Sequence, residues 1–175
     1  MIGDRWGVTT DEVARHYPCD DLVRAPVLQA WRGVTVHASP QTLWQWISQI
    51  RLAPYSYDWL DNLGRPSPKE LQNLPEPAPG QHFSRVGGHP AGRILAVESG
   101  VHLTGCIMGA VMSYVLVPTG DSTRLLLKIA AGGNAWAARL LSVGDLVMSR
   151  RQLLNLKRLA ERSPPRSAPD EGVAS

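Results

Sequence analysis

Hydrophobic and polar positions change period along the chain, and the changes outline its elements. In "SPQTLWQWISQI" the apolar residues Leu43, Trp46, Ile47 and Ile50 recur at three- and four-residue spacing, which predicts a helix with one apolar face. Ser39 is placed to cap that helix and Pro40 to fill its first position. Just before it, 27–38 reads as a strand, with Trp31, Val34 and Val36 supplying β propensity. Nearer the start, Thr9 is followed at capping-box spacing by Glu12, which predicts a short helix that Pro18 stops. From residue 81 onward, short apolar segments at 81–86, 93–99, 101–106, 110–117 and 123–131 are divided by Gly, Pro or Asp, the spacing of consecutive antiparallel strands. Ser99–Gly100 and "PTGDS" are read as hairpin turns, and the glycine-rich "GGHPAG" and "AAGGN" as turns without phosphate-loop spacing.

Two stretches break the simple patterns. "AVMSYVLV" (110–117) hardly alternates, which fits a central strand covered on both faces or one whose outer face meets a partner. The last periodic segment, about 135–162, carries a stripe of Leu146, Ser149, Leu153, Leu156 and Ala160; extended backward it meets Ser142 and Arg139, which predicts a kink or a separate helix near Gly144. The order is short helix, strand, helix, aromatic segment, five strands, long amphipathic helix. Strands and helices are segregated, so the predicted class is α+β, with the sheet as the partner for the last helix's stripe.

Composition narrows the function classes. At 175 residues, 43% hydrophobic and 19% charged, the chain is read as one globular domain with a sizeable core. Residues 145–162 hold five basic and two acidic residues, which accounts for the whole net charge of +3; a dispersed nucleic-acid footprint would look different, so no nucleic-acid partner is expected. The patch reads as a solvated helix face or as a contact for an acidic surface. Cys19 and Cys106 form no CxxC pair or metal-spaced cluster, so neither a metal nor another cofactor is expected and both thiols are read as free. No leader is visible at the start and no apolar run approaches the roughly 20 residues of a membrane span, which gives a cytoplasmic protein without integral membrane segments. The expected partner is a small molecule, and the expected state is a monomer or weak homodimer. The tail beyond 162 is polar and proline-rich and is expected to be disordered.

Candidate chemistry is sparse. "PYSYDWLDNLG" gathers Tyr55, Tyr57, Asp58, Trp59 and Asn62 ahead of a loop with five prolines. It reads either as a pocket wall, with rings and a few polar tips, or as a packed corner filled by Trp59 and Leu60. At helical spacing Tyr55, Trp59 and Asn62 share one side and Tyr57 another, so the two tyrosines do not enter one cavity together. His102, between Val101 and Leu103, is more often a structural residue in such a setting than a catalyst. Met112 and Tyr114 share one strand face and suit either a ligand or a core. Arg85 lies on a strand. Arg124, Leu126 and Lys128 share one face and Leu125, Leu127 and Ile129 the other; the simple assignment puts the leucines inward and the cations in solvent. Six tryptophans either line a cavity or fill it.

Taken in order, "WGVTTDEV", "SPQTLWQWISQI", "YSYDWLDNL" and "MSRRQLLNLKRLAER" resemble an uncharacterised bacterial branch of the SRPBCC (START-like, polyketide cyclase/dehydrase-like) superfamily over roughly residues 6–162. The resemblance implies a helix-grip fold, in which a curved antiparallel sheet wraps a long C-terminal helix and two short helices follow the first strand. It divides the chain into an arm with a short helix (1–24), the helix-grip domain (25–162) and a tail (163–175). It also implies an apolar cavity that binds a lipid, polyketide or similar molecule without transforming it, with Tyr55, Trp59, Asn62, Arg85, Met112, Tyr114 and Leu127 as its contacts. One alternative is a cyclase, aromatase or dehydratase working through Tyr57, Asp58 and His102; another is a protein-interaction module. The chain departs from the family at Gly80–Gln81, where an acidic residue is expected after the glycine.

Overall fold

The predicted capping box at Thr9 is present: Glu12 N–H donates to Thr9 Oγ1 (3.2 Å) and Thr9 N–H donates to the Glu12 carboxylate (2.8 Å), opening α1 (Thr10–Ala14). Pro18 does more than stop this helix. Its fixed φ suits a first turn, and it opens a second short helix, α2 (Pro18–Leu22). The computed structural model of the chain describes residues 4–56, 66–132 and 135–163, and the side chains of 135–147 fall outside that description.

The remaining elements are β1 (Arg5–Trp6), β2 (Leu28–Val36), α3 (Pro40–Ser48) with a 3-10 turn at Gln49–Arg51, the hairpin β3 (Ser84–Val86) and β4 (His89–Ala91), then β5 (Arg93–Glu98), β6 (His102–Ile107), β7 (Ala110–Thr119), β8 (Ser122–Ala131) and α4 (Ala135–Arg162). Six strands form one sheet in the order β1-β2-β8-β7-β6-β5. All its pairs are antiparallel except β1, which runs parallel to β2. The architecture is α+β and of helix-grip type. Besides α2 and the separate β3–β4 hairpin, further details differ from the sequence reading. The N-terminal arm adds a strand to the sheet, "GGHPAG" contains β4 as well as its turn, and α4 runs as one helix through Gly144.

Register explains why 110–117 does not alternate. Met112, Tyr114 and Leu116 face the main core with Leu125, Leu127 and Ile129, against Leu153, Leu156 and Ala160 of α4. Val111, Val115 and Val117 face the other way, into a second cluster with Trp31, Leu126, Ala130, Tyr17 and Cys19. Helices cover one face and the arm covers the other.

The expectation of solvated cations on β8 is therefore corrected. The leucines do face inward, but Arg124 and Lys128 lie under the arm. Arg124 Nε donates to Glu12 (2.8 Å) and Nη2 to the Gly7 carbonyl (2.7 Å), and Lys128 pairs with Asp20 between the rings of Tyr17 and Trp31. The Arg124 hydrogen bond holds the Glu12 carboxyl below its ordinary value of 4.5. The basic end of α4 is also engaged: Lys157 donates to the Thr35 carbonyl (2.7 Å) and Arg150 stacks over Trp6 (4.8 Å).

The proline-rich loop is anchored from the end of α3. Buried Gln49 donates to the Glu70 carbonyl (3.0 Å) and accepts from Gln72 N–H (2.7 Å), while Arg51 donates to the Pro75 carbonyl and to Gln81 Oε1 (2.9 Å).

Candidate functional site

Gly105 on β6 sets one wall of a cavity. A Cβ there would lie 2.1 Å from the Phe83 ring, so only glycine lets that ring rest against the strand. Phe83 in turn packs on Tyr114 (centroids 6.2 Å apart, planes at 42°). Beyond these rings, between the inner face of the sheet and α4, lies a cavity of about 300 Å³. Met112, Tyr114, Ile129 and Ala131 border it from β7 and β8, Met148, Ser149 and Gln152 from α4, and Ile50, Pro54 and Ser56 from the segment after α3. Its mouth is framed by Arg85, Val86 and Met108, the last two 45% and 73% exposed.

One polar arrangement is built into this apolar wall. Gln152 Nε2 donates to the Pro54 carbonyl (2.6 Å), which fixes the amide's orientation, so Oε1 accepts the Tyr114 phenolic proton (2.6 Å). One helical turn on, Asn155 donates to the Tyr55 carbonyl (3.0 Å) and at longer range to that of Ser56 (3.4 Å). Two amides of α4 thus clamp three successive carbonyls of the aromatic segment. Ser84 commits its proton to the Ile50 carbonyl (3.1 Å). Tyr114 and Ser84 therefore direct their protons to the protein rather than to a guest.

No protein-family model matches the chain, and no curated protein matches it. Solved structures do. Protein MLL2253 from Mesorhizobium loti aligns with a TM-score of 0.55 at 19% identity, over 78% of this chain and 99% of its own. Protein NE0264 from Nitrosomonas europaea gives 0.55 at 14%, over 78% and 96%. The Polyketide_cyc-like protein Cgl2372 from Corynebacterium glutamicum gives 0.50 at 11%, over 78% and 93%. The chain shares their fold, of helix-grip type.

Within this fold the sequence-derived candidates divide. Arg85, Met112 and Tyr114 border the cavity. Leu127 is fully buried opposite Tyr114, in the core beside the cavity. Tyr55 sits behind the wall that its neighbours Pro54 and Ser56 form. Its ring meets Trp46 edge-on (6.2 Å), its hydroxyl accepts from Gln49 Nε2 (2.5 Å), and its backbone takes the left-handed conformation (φ +55°). Tyr57, Asp58, Trp59 and Asn62 lie outside the described residues. His102 pairs with Val115 on the arm-covered side of the sheet, 3.8 Å from Glu98. Burial pushes its pKa down against the pull of Glu98. Its Nδ1 is buried with no hydrogen-bond partner among the described residues.

Gln152 and Asn155 were missed. The signal was available: two amides at i and i+3 beside the apolar stripe of α4, where a solvated helix would carry charge. Among the described residues no helix is long and apolar enough to cross a membrane. The four described tryptophans do not border the cavity. Trp31 packs under the arm, Trp44 donates to Glu76 (3.1 Å), Trp46 to Ser163 (2.9 Å), and Trp6 lies against Arg150.

Proposed function

We propose that the protein binds an apolar small molecule in this cavity and holds it without transforming it, as a carrier or sensor. The observation that carries this reading is the roughly 300 Å³ space bordered by Met108, Met112 and Met148. These are all the methionines beyond Met1. Thioether side chains adapt to irregular guests, and the volume is at the lower end for small-molecule sites. The fold is compatible with binding and with catalysis alike, so the site must decide. Its defined polar pair is a phenol donating to an amide, and the amide is neither an acid nor a base that could take that proton. The free thiols Cys19 and Cys106 fit a reducing compartment.

Native mass spectrometry of the freshly purified protein, followed by solvent extraction, tests this. A discrete adduct that extraction removes is the expected result, and its mass gives the chemical class. A clean apo mass together with failure to bind any hydrophobic dye would sink the reading.

A further inference from the structure

We propose that the guest is an amphipathic anion, seated with its acidic head at Arg85 in the mouth and its apolar body inside. This rests on the cavity-binding reading above. Among the described residues Arg85 is the one charged side chain on the cavity wall. Elsewhere Arg124 meets Glu12, Lys128 meets Asp20 and Lys157 meets Glu161, while buried Arg51 is held away from the cavity by the Pro75 carbonyl and Gln81. Arg85 has no carboxylate partner among the described residues. Its Nη1 donates to the Gly88 carbonyl across the β3–β4 turn (2.9 Å), which orients the guanidinium. The donors left over form the planar fork that matches a carboxylate.

The rest of the wall sets the direction of binding. Deeper in, Tyr114 and Ser84 have spent their protons on Gln152 and on the Ile50 carbonyl. An acid placed there would lose its hydration without meeting a cation among the described residues. At the mouth it keeps water on one side and the guanidinium on the other. The exposed side chains of Val86 and Met108 extend the apolar surface around that position.

Decanoate and decanol, which share one chain and differ in the head, are the probes, titrated calorimetrically into the full-length protein. The expected result is that decanoate binds about tenfold more tightly, the worth of one charge-assisted contact. Arg85→Gln should erase that preference and leave decanol binding within about threefold. Equal binding of acid and alcohol to the wild type would overturn this inference while the cavity reading stands, and that comparison needs no variant. A preference that survives Arg85→Gln would overturn the role of Arg85. If neither probe binds, the cavity reading falls and this inference with it.

Discussion

At the scale of single residues, the cavity depends on an atom that is missing. Phe83 rests on β6 because Gly105 has no side chain, and its ring then supports Tyr114. Gly105→Ala forces the ring off the strand. Overpacking of this kind costs about 1–3 kcal/mol. Urea denaturation should show that loss with an unchanged m-value, and the displaced ring should weaken binding of a hydrophobic dye. An alanine variant as stable as the wild type would mean that Phe83 does not hold this position. Contacts of this sort were only partly legible in the sequence. Arg85, Met112 and Tyr114 could be picked out as strand residues with suitable chemistry. The tasks of Gln152 could not, because Tyr114 and Pro54 lie 38 and 98 residues away from it. The amides at i and i+3 beside the stripe mark Gln152 as unusual, but not what it binds.

At the scale of elements, periodicity gave α3, β2, most of the sheet and α4 close to their observed bounds, because each buries one face against the same core. The pattern says which residues share a face, but not what covers that face. For β8 this mattered: Arg124 and Lys128 read as solvated, yet the arm lies over them. Lys128 is 5% exposed, and Asp20 on α2 balances its charge. Asp20→Ala leaves that ammonium buried and unpaired, which costs about 3 kcal/mol. Adding Lys128→Met removes the stranded charge and should restore most of the loss, a coupling that a double-mutant cycle in urea reads directly. Additive effects of the two changes would show that the pair does not hold the arm. Because the arm covers the face opposite the cavity, neither change should alter binding of an apolar guest. A large loss of binding in both would mean that the two faces are coupled through the sheet.

At the scale of the whole molecule, the question raised by six tryptophans has an answer for four of them: bulk that could have filled the cavity is packed elsewhere, beneath the arm and around α3. The space is therefore not explained by a shortage of large side chains. An unfilled apolar space lowers stability, because its lining atoms lack partners. Two ways of filling it should then behave as alternatives. A bound guest stabilises by mass action, about 2.7 kcal/mol at a hundredfold excess over Kd, or roughly 5–10 °C in Tm for a chain of this length. A side chain can do the same permanently. Ala131 is 3% exposed, borders the cavity, and pairs with Ala110 on one side and Leu28 on the other. Ala131→Leu places three more carbons in the space. Without ligand its Tm should rise, by an amount matching the 0.5–2 kcal/mol typical of cavity filling. With decanoate it should show little further shift, whereas the wild type moves upward with concentration. Calorimetric scans of both proteins with and without decanoate decide the matter. A variant that melts lower yet keeps the full ligand shift would place the guest outside this cavity. A variant that gains stability and loses the shift would show that stability was given up to keep the space open.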